Sequence, residues 1–398
     1  MINFPIPSSK SISNRLLIIK YLSQSNGEII NISKADDTLL MNELLENLSN
    51  NKSNSFFCQN AGTVTRFLIA LLSIKKGDWI VDGDKNMRQR PIKPLVDVLI
   101  DLGVEINYIE RKDYLPINII GREILGHKKI RVDTSISSQF ISALLLVSPY
   151  FKEGISIELE KEIVSKPYID MTISLMRLFG ANISIINNSI RVFPSKYKFS
   201  DIEVEADWSS AAFAYELAFF TKEEVFVPNL KKDSLQGDSI AENYFGEFGI
   251  ETIFENNGAR IKLNINHSQK DLVFDIGSCP DLFLPLALVA AFSARRVVFN
   301  NTKTLRYKEC NRNEAARQNL EALGVDCIEE ENSFIINPKA EESIKEIKKN
   351  ILIKTFDDHR VAMSFGILSK IEPTLKLDNP ICTTKSFPNF WEIIKLYN

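Results

Sequence analysis

Seven polar clusters, most carrying a cation, recur along the 398-residue chain, each just ahead of a stretch patterned as an amphipathic helix. They are Lys10-Ser11 with Arg15, Asn60-Ala61-Gly62-Thr63, Ser137-Ser138-Gln139, Ser165-Lys166-Pro167-Tyr168, Asp207-Trp208-Ser209-Ser210, Lys308-Glu309 with Arg312, and Asp358-His359-Arg360. A helix start offers N–H groups without intrahelical partners and the positive end of a dipole, so it takes anions. One such cluster would mean a cap. Seven, bearing Lys, Arg, Ser and Gln side chains, point to a shared site for a substrate with several negative charges.

The placement of arginine sharpens this. After Gly62, residues Val64, Phe67, Leu68, Leu71 and Leu72 make a helical core stripe, with Arg66 off it in the first turn and Asn60 or Thr63 as the expected cap. Arg312 and Arg360 also begin helices, where a carboxylate would be the stabilising choice. Arg90 precedes Pro91, a natural first helical residue. Behind Ser137-Ser138-Gln139 the stripe is Phe140, Ile141, Leu144 and Leu145, and capping explains one serine but not three polar groups in a row. Asp281 precedes the apolar stretch Leu282–Phe292, so it is either the cap of a buried helix or a base with a raised pKa. Lys308 and Glu309 are adjacent, and neighbours on a helix do not face each other.

Composition bounds the partner. Net charge is -3, which argues against a nucleic acid and requires the anion site to be local. Five cysteines without a CxxC pair read as free thiols, and three scattered histidines argue against a metal centre. Apolar runs are too short for a membrane span, and Met1 leads almost directly into the Lys10 cluster, so a cytoplasmic protein without a targeting segment is expected.

The elements behind the clusters repeat. Helices predicted over Pro91–Leu102, Pro167–Phe179, Ser239–Phe248 and Arg312–Leu323 each end at a glycine followed by a strand, a polar turn and a second strand. Those glycines, 103, 180, 249 and 324, lie 77, 69 and 75 residues apart. The turns at 110–113, 186–189, 256–258 and 329–332 fit hairpins. The spacing predicts six duplicated βαβαββ units with mixed sheets, counting weaker first and last copies, in two lobes of three.

With these residues in order along nearly the whole chain, the sequence resembles the 5-enolpyruvylshikimate-3-phosphate (EPSP) synthases. Ser9-Lys10-Ser11-Ile12-Ser13-Asn14-Arg15, Asn60 through Arg66, Gly83 through Ile92, Ser135–Gln139 and Ser165 through Asp170 match that family's first half. Asp207, Asp281, Lys308-Glu309 with Arg312, Asp358-His359-Arg360 and Cys382 through Pro388 match its second. The resemblance implies an α/β fold of two similar lobes with helices inside and sheets outside, an inside-out α/β barrel. One lobe would span 9–204, the other 1–8 and 205–398, with the active-site cleft between them. It implies that Lys10, Ser11, Arg15, Ser137, Ser138, Gln139, Ser165, Asp281, Thr304 and Lys308 hold shikimate 3-phosphate. Lys10, Gly62, Arg90, Gln139, Arg312, Arg360 and Lys385 would hold phosphoenolpyruvate. Asp281 would take the proton of the 5-hydroxyl, and Glu309 or a lysine, Lys10 among them, would protonate the enol methylene. No cofactor, metal, nucleic acid or membrane is implied, and a monomer is expected.

Four positions depart from the family pattern: Thr304 for Asn, Asn311 for Asp, Phe67 for Pro and Ser8 for Gly. None removes a cation or the expected base. The related transferase acting on UDP-N-acetylglucosamine typically carries Lys-Asn and a loop cysteine, whereas this chain has Lys10-Ser11 and no cysteine from Asp82 to Arg90. RNA 3′-terminal phosphate cyclases use similar units but need a histidine nucleophile, for which His359 is the one motif-borne candidate, and the net charge is wrong for RNA. A non-catalytic anion-binding module is the remaining reading.

Overall fold

A computed structural model describes residues 1–126, 129–132, 138–159, 165–264, 270–337 and 349–395. The chain divides into two compact units. One holds Lys10–Ser33 and Asp37–Val204, the other Met1–Ser9, Lys34–Asp36 and Glu205–Asn398. Below they are called the 10–204 unit and the 205–398 unit.

The chain opens with β1 (Ile2–Asn3) and enters the 10–204 unit through α1 (Lys10–Ser23), β2 (Ile29–Ile30) and α2 (Asp36–Ser49). Next come β3 (Ser55–Phe57), α3 (Gly62–Ile74), β4 (Gly77–Asp82), α4 (Lys93–Asp101), β5 (Glu105–Tyr108) and β6 (Ile117–Gly121). The pattern recurs as β7 (Lys129–Val132), α5 (Ser138–Val147), β8 (Ile155–Leu159), α6 (Lys166–Leu178), β9 (Ile183–Ile186) and β10 (Ser189–Val192), and closes with β11 (Ile202–Glu203).

The 205–398 unit repeats it: α7 (Trp208–Thr221), β12 (Val225–Pro228), α8 (Ala241–Gly246), β13 (Ile250–Glu255) and β14 (Gly258–Leu263). Then follow β15 (Leu272–Asp275), α9 (Phe283–Phe292), β16 (Val297–Asn300), α10 (Arg312–Ala322), β17 (Asp326–Glu329) and β18 (Ser333–Asn337). Last are β19 (Leu352–Ile353), α11 (His359–Ile371), β20 (Lys376–Leu377) and α12 (Phe390–Lys395).

Four sheets share one topology, in the orders β3-β4-β6-β5, β7-β8-β10-β9, β1-β12-β14-β13 and β15-β16-β18-β17. In each, the first pair is parallel, as in Phe56↔Val81 and Phe274↔Phe299, and the remaining pairs are antiparallel. A parallel pair needs a crossover, here the segment carrying α3, α5 or α9 in three sheets and the whole stretch from α1 to α7 between β1 and β12, whereas the antiparallel pair closes through a hairpin. Each predicted joint is present: Gly103, Gly180, Gly249 and Gly324 all have φ between +77° and +94°, which a Cβ would strain. The first and last copies differ from the full pattern. Among the described residues they keep only two-stranded parallel sheets, β11-β2 and β19-β20.

The sheets carry one buried face, and the helices beneath form the core. In the 10–204 unit α1, α3 and α5 pack pairwise on one another, and in the 205–398 unit α7, α9 and α11 do the same. Each unit has its own continuous apolar core. All ten residues of α9 are buried, and in α7 every residue but Thr221 is. The amphipathic reading of α7 is therefore corrected: a helix surrounded by helices and a sheet has no wet face. Each unit thus carries its helices inside and its sheets outside. Among the described residues, no helix is long and apolar enough to cross a membrane.

Candidate active site

In the 10–204 unit the starts of α1, α3, α5 and α6 converge. Lys10, the first residue of α1, places Nζ 2.9 Å from Asp37 Oδ2 at the start of α2. Arg15, one turn on, is buried: Nε donates to Thr172 Oγ1 at 2.7 Å, Nη1 to the Ser11 carbonyl at 2.8 Å, and Nη2 to the Tyr168 carbonyl at 3.2 Å and Ser142 Oγ at 3.4 Å. It ties three helices together, and burial lowers its pKa to about 10. Gln139 Nε2 donates to Thr63 Oγ1 at 3.2 Å, joining α5 to α3. Ser138 and Ser165 are buried, while Ser137 lies outside the described residues.

Gly62 sits against two guanidinium groups. A Cβ added there would lie 2.7 Å from both Arg66 Nη1 and Arg90 Nη2. Arg66 is buried rather than solvated, donating to the Gly62 carbonyl at 2.9 Å and the Pro91 carbonyl at 3.1 Å, with its guanidinium 5.2 Å from the Phe140 ring centroid. Arg90 Nε and Nη1 are buried with no hydrogen-bond partner among the described residues. Desolvated donors of this kind are costly, so an anion is the natural occupant. Neither Asn60 nor Thr63 caps α3, whose N-cap is Ala61 without a side-chain bond. Pro91 stays outside α4, which begins at Lys93 with Pro94 in its first turn.

The 205–398 unit gathers its charged side chains around Arg312. Its Nε donates to Asp358 Oδ2 at 2.9 Å, Nη1 to Asp281 Oδ1 at 2.7 Å and Nη2 to Glu309 Oε2 at 2.9 Å. Arg360 Nη2 holds the other Asp281 oxygen at 2.8 Å. Lys385 Nζ lies 3.7 Å from Glu309 Oε1. Glu309 follows a 3-10 turn over Thr302–Tyr307, so Lys308 and Glu309 are not helix neighbours. Thr304, within that turn, buries an Oγ1 that has no partner among the described residues. Asn311 caps α10, accepting from Glu314 N at 3.3 Å, so this departure keeps the local job.

Asp281 corrects both readings offered for it. It is not the cap of α9, because a 3-10 turn over Pro280–Leu282 intervenes and the N-cap is Leu282. Nor is its pKa raised. Burial alone would raise it, but Arg360, Lys308 and Arg312 outweigh burial and hold the carboxyl well below the usual carboxylate range. Lys308 is itself shifted down by burial. Asp238, which the sequence reading passed over, is buried, accepts a hydrogen bond from Ser209 at the start of α7, and is pushed up to about 7 by burial and by Asp281. Its Gln-Gly-Asp turn gave no signal in the chain, because only the fold brings it to Asp281.

All five cysteines are free. Among the described residues, no group of three or more His, Cys, Asp or Glu side chains is placed to hold a metal ion.

Repeated βαβαββ units that gather arginines, lysines and carboxylates at helix starts define an α/β enzyme handling small anionic molecules. Comparison with known proteins gives the particular family. The EPSP synthase (3-phosphoshikimate 1-carboxyvinyltransferase) family matches residues 49–394, and the chain belongs to that family. It is 35% identical over 399 residues to the 3-phosphoshikimate 1-carboxyvinyltransferase of Bacteroides fragilis (strain YCH46), covering 98% of this chain and 93% of that one. The enzyme of the same name from Vibrio atlanticus (strain LGP32) is 31% identical over 418 residues, with 98% and 95% covered. The fold matches the solved EPSP synthase of Acinetobacter baumannii with a TM-score of 0.76 at 22% identity, covering 99% of this chain and 95% of that one.

Proposed function

We propose that this protein transfers the enolpyruvyl group of phosphoenolpyruvate to the 5-hydroxyl of shikimate 3-phosphate and releases phosphate. The observation that carries the reading is the Asp281 carboxylate, ion-paired with Arg312 and Arg360 and under the charge of Lys308. That is a base embedded in the cations a phosphate- and carboxylate-bearing substrate needs.

Asp281 takes the hydroxyl proton, and the electron pair left on oxygen forms the bond to C2 of phosphoenolpyruvate. Glu309, Lys10 or Lys308 delivers a proton to C3, giving a tetrahedral intermediate. The C2–O bond to phosphate then breaks, and loss of a proton from C3 restores the double bond. Lys308 suits an acid role because burial makes its ammonium a better proton donor. Lys10, Ser11, Arg15, Ser137, Ser138, Gln139, Ser165, Thr304 and Lys308 hold shikimate 3-phosphate. Arg15 does so chiefly by fixing the starts of α1, α5 and α6, since four of its hydrogen bonds are internal. Lys10, Gly62, Arg90, Gln139, Arg312, Arg360 and Lys385 hold phosphoenolpyruvate, and the buried donors of Arg90 support that assignment. The protein acts as a cytoplasmic monomer.

The test mixes the protein with both substrates and follows phosphate release, with and without EDTA. Release that needs shikimate 3-phosphate and survives chelation is expected. Stimulation only by UDP-N-acetylglucosamine, or loss on chelation, overturns the reading.

A further inference from the structure

Asp281 presents each carboxylate oxygen to a different guanidinium, Arg312 Nη1 at 2.7 Å and Arg360 Nη2 at 2.8 Å. Arg312 has its Nε and Nη2 committed to Asp358 and Glu309, so Nη1, the group now on Asp281, is the one nitrogen an incoming anion can contest. Arg360 also directs Nη1 to the Asp281 carbonyl at 3.5 Å, so both of its arms face that residue. The base and the anionic substrate therefore compete for the same donors. We propose that the anion switches on the base: phosphoenolpyruvate arriving on Arg312 and Arg360 draws them off Asp281 and frees that carboxylate to accept a proton.

This rests on the reading of Arg312 and Arg360 as phosphoenolpyruvate ligands. The charged groups acting on Asp281 are Arg360 from α11, Arg312 from α10, Lys308 and Glu309 from the turn before α10, and Asp238 from the turn before α8, itself influenced by Asp207 at the cap of α7. With the arginines engaged elsewhere, burial, Glu309 and Asp238 all push Asp281 toward binding a proton. A carboxylate caged by cations is a poor base, so proton transfer waits until the second substrate is in place.

The experiment labels aspartate side-chain carboxyls with carbon-13 and titrates them by NMR, with and without phosphoenolpyruvate alone, so that no turnover occurs. Asp281→Asn and Asp281→Glu both remove the Asp281 signal, so either variant that folds assigns it. Phosphoenolpyruvate is expected to raise the Asp281 midpoint by ~1 pH unit or more, a tenfold gain in proton affinity. Arg360→Gln should raise the midpoint without ligand and shrink the further shift. Calorimetric binding with an unchanged midpoint overturns this proposal alone. Absence of binding and of phosphate release overturns the proposed function with it.

Discussion

Asp358 caps α11 with one carboxylate oxygen and anchors Arg312 with the other: Oδ1 accepts from Arg360 N at 2.9 Å, and Oδ2 accepts from Arg312 Nε at 2.9 Å. One side chain thus fixes both a helix start and the central cation. Asp358→Asn should keep the cap, since Asn caps as well as Asp, but weaken the hold on Arg312. The KM for phosphoenolpyruvate should rise about tenfold, the equivalent of one charge-assisted hydrogen bond. Asp358→Ala should lose a further ~1 kcal/mol of stability with the cap. Urea midpoints and KM for both variants provide the check, and equal midpoints would remove the capping role.

Asp281→Asn should lower turnover by ~10²–10⁴-fold, the usual cost of a lost general base, while shikimate 3-phosphate still binds. Steady-state phosphate release and ligand-induced fluorescence change measure the two effects. A kcat near wild type would leave Asp281 as a partner for arginines and nothing more.

Gly62→Ala should raise the KM for phosphoenolpyruvate by roughly tenfold, the effect of ~1–2 kcal/mol of misfit. The atoms its Cβ would meet are the ends of Arg66, held by two carbonyls, and of Arg90, whose Nε and Nη1 have no partner among the described residues and which is therefore the one that shifts. The displacement therefore falls on ligand binding, and the melting temperature should stay close to wild type. A large drop in melting temperature with unchanged KM would make this glycine a packing residue.

Glu216 lies buried in α7, and burial, only partly offset by the nearby Ser364 hydroxyl, pushes its carboxyl well above the ordinary value. The folded chain then keeps a proton that the unfolded chain releases above about pH 4.3, so stability falls as pH rises through that window. The loss is on the order of 1 kcal/mol per pH unit until the folded carboxyl itself ionises. Glu216→Gln should be the more stable protein at pH 7, with a flatter pH dependence. Denaturation at pH 5 and pH 8 decides it, and parallel profiles would sink the idea.

The four full units were legible because each hinge is local: a helix, a left-handed glycine, then two strands meeting through a short turn. The two short units were weaker for a physical reason. Their sheets are two strands wide, and in one of them Ile29 pairs with Ile202, a partner no local period announces. The cations were legible from their odd positions at helix starts, and the family resemblance gave their roles. What stayed hidden was which groups face each other. Nothing in the chain singled out Asp37 as the partner of Lys10, or Asp238 as the neighbour of Asp281. The sign of the shift at Asp281 depends on arginines 31 and 79 residues along the chain. Arg15 read as a ligand because sequence shows a charge but not the internal acceptors that satisfy it.

The pairing of β1 with β12 has a consequence for how the molecule is assembled. Ile2 waits for Val225, so the first strand emerges from the ribosome long before its neighbour exists. Meanwhile residues 10–204 carry their own core and can condense first. Their entry and exit lie side by side, with Ser9 N donating to the Glu205 carbonyl at 2.8 Å and Asp207 N to the Pro7 carbonyl at 2.9 Å. In sequence, one compact unit is thus inserted into the other, as in tolerated domain insertions. A fragment made from residues 205–398 alone would leave the outer edge of β12 bare and tend to associate through it, and adding back a peptide of residues 1–9 should suppress that association.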